Sequence, residues 1–228
     1  VLKDWVATYP DGVILPGSPR PVDDFIDQGV PSHQWTTSAM RRVGTHKDKI
    51  LAKAQALRAD AVWFVDSDLL LDRMTLMSLW MSQQPITAAV YWTHWMRPPQ
   101  GPSGPQVWLT HPYGLDGRGM TVPEFRRKLI ERQLTQVWGQ GACTLIRGPY
   151  YDSCSFQPVP GAPVDGMWAG EDRHFCIHAE RRHIPMWADP WPDIFHQYHL
   201  PEDLEEGAEM VKRLGAEHPK RARVGDLV

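Results

Sequence analysis

Ala61-Val62-Trp63-Phe64-Val65 is apolar at every position, rich in β-formers, and stops abruptly at Asp66-Ser67-Asp68. An unbroken apolar run of this length predicts a strand buried on both faces, which requires other elements packed on either side. Its neighbours can supply them. Thr45 is placed to cap a helix that carries Ile50, Leu51, Ala54 and Leu57 at helical spacing. Asp72 is placed to cap a second helix over Arg73–Gln83, and Ile86–Trp92 reads as a second buried strand. Helix, strand, helix and strand within about 45 residues predict an α/β layer.

The remaining segments extend that pattern. Leu2–Tyr9 reads as a strand, followed by the turn-rich stretch Pro10–Pro21. Arg97–Pro105, dense in Pro and Gly, reads as a loop, and Pro123 opens a helix that runs to Leu134. The apolar runs Thr135–Trp138 and Ala142–Arg147 flank Gly139-Gln140-Gly141. Gly170-Glu171-Asp172 opens a helix to about His183, with Phe175, Cys176 and Ala179 facing inward. Met186–Ala188 and Ile194–Phe195 read as short strands, and Pro201 starts a last helix with Leu204, Ala208, Val211 and Leu214 on one face. No linker divides the chain, so residues 1–228 are expected to form a single domain, with 200–228 as its terminal helix and tail.

Composition narrows the classes. With 228 residues, 42% apolar and 22% charged, the chain can build a full core. A net charge of −3 argues against a protein that lives on nucleic-acid backbone. No apolar run approaches the ~20 residues of a membrane helix, and Asp4, Pro10 and Asp11 interrupt anything like a signal-peptide core. A cytoplasmic protein without a transmembrane segment is the expectation. Cys143, Cys154 and Cys176, odd in number and without a C-x-x-C pair, predict buried free thiols. The 11 tryptophans suit core filling as well as stacking on sugars or bases.

Three constellations could carry chemistry. Asp66 and Asp68 stand at the carboxyl end of a buried strand, where open α/β sheets bind ligands, and could converge on a hard divalent cation that also takes phosphate oxygens. Glu171 and Asp172 open a helix, whose free N–H groups and dipole keep a carboxylate ionised, as a general base requires; ordinary capping would also explain them. His196 follows a β-like pair, and its imidazole could complete a metal site otherwise made of carboxylates. His174 and His178 lie four apart on a helix, but no H-E-x-x-H accompanies them, and they are expected to face solvent.

The order of these blocks, Asp66-Ser67-Asp68, then Gly139–Arg147, then Gly170-Glu171-Asp172-Arg173-His174-Phe175-Cys176, then Asp189-Pro190 with His196, resembles the GT-A glycosyltransferases, family-2-like enzymes above all. The resemblance spans roughly Thr45 to His199, and the G-E-D-x-x-F-C block is its most specific part. It implies a Rossmann-like three-layer α/β/α domain with a mixed, mainly parallel central sheet. It also implies transfer of a sugar, with inversion, from a nucleoside diphosphate sugar (a UDP-sugar foremost) to a nucleophilic acceptor, with Mn²⁺ or Mg²⁺ as cofactor. Asp66 would face the ribose or the metal, Asp68 would bind the metal directly, and His196 would be its distal ligand. Asp172 would be the base, and Glu171 would shape the acceptor pocket. Thr8, on Trp5-Val6-Ala7-Thr8, and Lys47 would contact the donor; where the family often carries an Arg-Asn pair, this chain has Thr45-His46-Lys47-Asp48-Lys49. The segment Arg97–Thr121 matches no part of the family pattern. Glycan, protein, lipid and modified nucleobase all remain open as the acceptor.

Two other classes use the same residues. A haloacid-dehalogenase-like phosphohydrolase would take Asp66 as a strand-end nucleophile, although that family follows the motif with Gly-Thr and this chain follows it with Leu69-Leu70. A non-catalytic sugar- or nucleotide-binding module would use the tryptophans and leave the acids without turnover.

Overall fold

The computed structural model describes residues 25–26, 34–93, 104–110, 119–161, 170–196, 208–209 and 212. The expected strand at Leu2–Tyr9, with Thr8, lies outside them, as do His199 and nearly all of the helix expected from Pro201.

A two-stranded ribbon, β1 (Phe25–Ile26) with β2 (Gln34–Trp35), precedes helix α1 (Thr37–Leu57). The helix starts well before Thr45. Thr36 is its cap, accepting from Ala39 N–H at 3.2 Å, whereas the Thr45 hydroxyl donates back to Arg41 O. Its inward stripe is Ala39, Gly44, Lys47, Leu51 and Ala54; Ile50 and Leu57, expected to be inside, face solvent. Arg58 ends it in the left-handed conformation, at φ 51°.

β3 (Ala61–Val65) follows, and after Asp66-Ser67-Asp68 comes β4 (Leu69–Leu71), which the sequence reading did not anticipate. Helix α2 (Thr75–Met81) is shorter than expected. Asp72 turns the chain into it by accepting from Met74 N–H at 2.6 Å. Then come β5 (Ile86–Ala89), β6 (Trp92–Thr93), β7 (Gly104–Pro105) and β8 (Val107–Trp108), so part of the expected loop is paired backbone. Helix α3 (Val122–Ile130) is capped by Thr121, with Pro123 in its first turn. β9 (Thr135–Val137), β10 (Gly139–Gln140), β11 (Cys143–Arg147), a 3-10 turn (Tyr150–Ser153), α4 (Glu171–Glu180), β12 (Met186–Asp189) and β13 (Ile194–His196) follow.

The central sheet has five strands in the order β3-β11-β5-β12-β9. Only β5 and β12 pair in parallel; β11 runs antiparallel to both β3 and β5, and β9 antiparallel to β12. The sheet is mixed and mostly antiparallel, which corrects the mainly parallel expectation. The strand–helix–strand rhythm does make β3 and β5 run the same way. It fixes their direction, not their adjacency, and β11 inserts between them. β3, β5 and β12 therefore end along one edge, where β11 begins.

Alternate residues of β3 enter two apolar clusters. Val62 and Phe64 join Leu51 and Ala54 of α1 and Phe175, Cys176 and Ala179 of α4, while Ala61 and Trp63 pack with Leu79 of α2. Cys143 and Cys176 are buried and Cys154 is half-buried, all three as free thiols. His174, expected at the surface, is buried, and its Nδ1 accepts from Val159 N–H at 3.2 Å. No described helix is long and apolar enough to cross a membrane.

Candidate functional site

β3 delivers Asp66 and Asp68 to the edge where β3, β5 and β12 end. Asp66 is tied there by its own backbone, whose N–H donates to Ala142 O at 2.8 Å. Asp68 stands more open, and its Oδ2 lies 3.1 Å from His196 Nε2. That contact joins residues 128 positions apart. It follows from β4, because β4 pairs antiparallel with β13 and sets Leu69 opposite His196. The Tyr91 ring, just beyond β5, packs against the imidazole at 5.1 Å between centroids.

The second half of the site hangs from α4. Lys47 reaches in from the buried stripe of α1, and its Nζ donates to Glu171 Oε1 at 2.9 Å and Asp172 Oδ1 at 2.7 Å. α1 can come this close because residue 44 has no side chain: a Cβ there would lie 2.7 Å from Phe156 O. Asp48 fixes the same segment, accepting from Phe156 N–H and Ser155 Oγ, each at 2.8 Å. Phe156 in turn stacks on Phe175 at 4.6 Å and supports α4 from below.

These charges are not balanced. Burial alone would lower the Lys47 pKa, but Asp172, Glu171 and Asp66 more than reverse this and hold the ammonium charged far above its ordinary range. Burial pushes the Asp66 carboxyl up; Lys47 draws it down, and Asp172, Asp68 and Glu171 push it up again, to about 7. Glu171 is also raised, by burial first and Asp172 second, against the pull of Lys47. Three carboxylates, Asp66, Glu171 and Asp172, thus share one buried ammonium, with Asp68 adding its charge beside Asp66, a field that attracts further positive charge.

Asp66, Asp68, Glu171, Asp172, Lys47 and His196, all expected from the sequence, fall into two groups: Asp68 with His196, and Lys47 with Glu171 and Asp172, with Asp66 in electrostatic reach of both carboxylate groups. Among the described residues no three His, Cys, Asp or Glu side chains form a metal-binding cluster. A carboxylate beside an imidazole still suits Mn²⁺ or Mg²⁺ of the kind that takes one or two protein ligands and fills its shell from substrate phosphates and water. His174 and His178 contribute to neither group. Burial is the main reason both imidazoles have lowered pKa values.

The sequence reading missed two contributors. Gly141 leaves room for Asp172, since a Cβ on it would lie 2.5 Å from Asp172 Oδ2. The Gly139-Gln140-Gly141 run before a strand was a visible signal for such a close approach. Tyr91 carried no signal, because only the bend after β5 brings it to His196. Asp189, at the end of β12, is structural: its buried carboxylate accepts from Ser78 Oγ at 2.6 Å and Trp191 N–H at 3.0 Å. Compared with known proteins, the chain matches no family model and no curated protein.

Proposed function

We propose that this protein is a metal-dependent glycosyltransferase of the GT-A type, moving a sugar from a nucleoside diphosphate sugar to an acceptor nucleophile with inversion. The observation that carries the reading is the 3.1 Å contact between Asp68 Oδ2 and His196 Nε2. The resemblance assigned both residues to one cation, and nothing in their spacing along the chain requires them to meet. A three-layer α/β/α scaffold is part of the proposal, supported by the two helix-bearing clusters that alternate residues of β3 enter.

Asp68 and His196 would hold Mn²⁺ or Mg²⁺, with Asp66 nearby, and the cation would supply charge neutralisation on the leaving diphosphate. The chain's own residues do the rest. Asp172, with its side chain 25% exposed against 14% for Glu171, is the carboxylate better open to an acceptor hydroxyl. Glu171, more enclosed, shapes the wall beside it. The buried ammonium of Lys47 keeps the pair from repelling each other out of place.

Calorimetric titration of UDP in the presence and absence of Mn²⁺ tests the reading. The wild type should bind UDP in a Mn²⁺-dependent way. Asp68→Ala and His196→Ala should each weaken that binding by ~10-fold or more, as loss of metal-site groups commonly does, and Asp66→Ala by less. Absence of Mn²⁺-dependent UDP binding by the wild type, or equal affinity in all three variants, would refute it.

A further inference from the structure

A lysine that binds a donor phosphate must offer its ammonium to the open cleft. Lys47 does the opposite. Its side chain is 10% exposed, less than either carboxylate it touches, and two of its three donors are committed to Glu171 Oε1 and Asp172 Oδ1. The helix that carries it is held against the Ser155–Phe156 segment by Asp48 and Gly44, so the ammonium cannot swing far.

The two oxygens of Asp172 are thereby made different. Oδ1 accepts from Lys47 at 2.7 Å. Oδ2 has no hydrogen-bond partner among the described residues and points into the space that Gly141 leaves open. The turn containing Gly141 is itself fixed: Cys143 N–H and Thr144 Oγ donate to Gly141 O, and Ala142 O accepts from Asp66 N–H. One strap thus sets the free oxygen of Asp172 and the backbone of Asp66 together.

We propose that Lys47 is a positioning residue that holds Asp172 by Oδ1, so that Oδ2, kept clear by Gly141, is the oxygen that receives the acceptor's proton. The inference rests on the glycosyl-transfer reading and replaces the donor contact expected of Lys47. In the step it serves, the acceptor oxygen bonds to the anomeric carbon as its proton passes to Asp172 Oδ2. The bond from that carbon to the diphosphate oxygen breaks, and its electron pair leaves with the diphosphate. Lys47 stays protonated throughout, and the proton on Asp172 is lost to solvent before the next turnover.

The test measures Mn²⁺-dependent UDP affinity together with UDP release from UDP-glucose, UDP-galactose and UDP-N-acetylglucosamine, with water as acceptor. Lys47→Met and Gly141→Ala should each lower turnover by ~10- to 100-fold, the usual effect of misplacing a reacting group by about 1 Å, and leave UDP affinity within about twofold. In an Asp172→Asn background neither change should lower the residual rate further, which a merely structural role would not predict. Lys47→Met removes the counter-ion of two enclosed carboxylates and can fail to fold. Gly141→Ala is the safeguard, since its backbone is one any residue adopts and the nearest atoms to its new Cβ all belong to the Asp172 side chain. A ~10-fold loss of UDP affinity at unchanged turnover would make Lys47 a donor ligand and overturn the clamp while leaving the transferase reading intact. Rate losses that persist in the Asp172→Asn background would overturn the clamp too. A wild type that neither binds nor releases UDP overturns both.

Discussion

Asp66→Asn should make the metal-free protein more stable at alkaline pH, and its stability less dependent on pH. In the fold the Asp66 carboxyl titrates at about 7, against 3.8 for the free group, chiefly because burial disfavours its charge. A folded-state pKa above the unfolded value means that the native state holds the extra proton. The Asp66 contribution to stability is therefore greatest in acid, and is lost as pH rises from the unfolded value through the folded one. Between about pH 5 and pH 7 some two pKa units are traversed, or about 2.7 kcal/mol at ~1.36 kcal/mol each. Asp66 is only half-buried, so solvent screening should reduce this to about 1–1.5 kcal/mol. Glu171 is pushed the same way, so the comparison must be between variant and wild type rather than between pH values alone. Urea unfolding of both proteins in a chelating buffer near pH 5 and near pH 8 measures it. The two should differ by at least about 1 kcal/mol more at the higher pH, in favour of Asn. Parallel curves would mean that Asp66 carries no unrelieved charge and that the excess of carboxylates over cation has been misjudged.

Asp172→Asn should fold normally, keep Mn²⁺-dependent UDP binding and lose ~10²–10⁴-fold in turnover, the usual worth of a positioned base; Glu171→Gln, measured beside it, should lose much less. A capping role alone would leave Asp172→Asn active, and the helix start argues against it, because Gly170 is the N-terminal cap and no side chain bonds there. Thr36→Ala should lower stability by ~1 kcal/mol through loss of the α1 cap, read as a fall in thermal midpoint, whereas Thr45→Ala should not.

The legible parts of this fold were those in which one segment decides its own conformation. β3 and β11 are short, apolar and bounded by turn residues, and they fell where the pattern put them. The start of α1 was misread because Thr36 and Thr45 are equally good caps locally, and only the packing of Ala39 against the core extends the helix back to Thr37. Sheet order was beyond reach for a different reason. Direction follows from whether a helix or a hairpin connects two strands, but neighbours are chosen by which apolar faces fit. The insertion of β11 between β3 and β5 is a long-range choice of that kind.

The site shows the same division at the level of single residues. Asp66, Asp68, Glu171, Asp172 and His196 were legible because they stand at strand and helix ends, where open α/β sheets bind ligands, and in the order of a family pattern; capping alone would have explained the acids of α4 as well. Lys47 was picked out for a role that its position argues against. With Gly44, Leu51 and Ala54 it occupies the inward stripe of α1, at spacings of three and four residues where an apolar side chain would ordinarily stand. A lysine in such a stripe cannot stay charged without carboxylates brought to it from another element. Had the stripe been drawn from Ala39 instead of Thr45, it would have asked for that partner, and Asp66-Ser67-Asp68 and the acidic start of α4 were the two acidic motifs that could supply it. On the clamp proposed above, the burial of Lys47 is the property that suits it to hold Asp172 and not a phosphate.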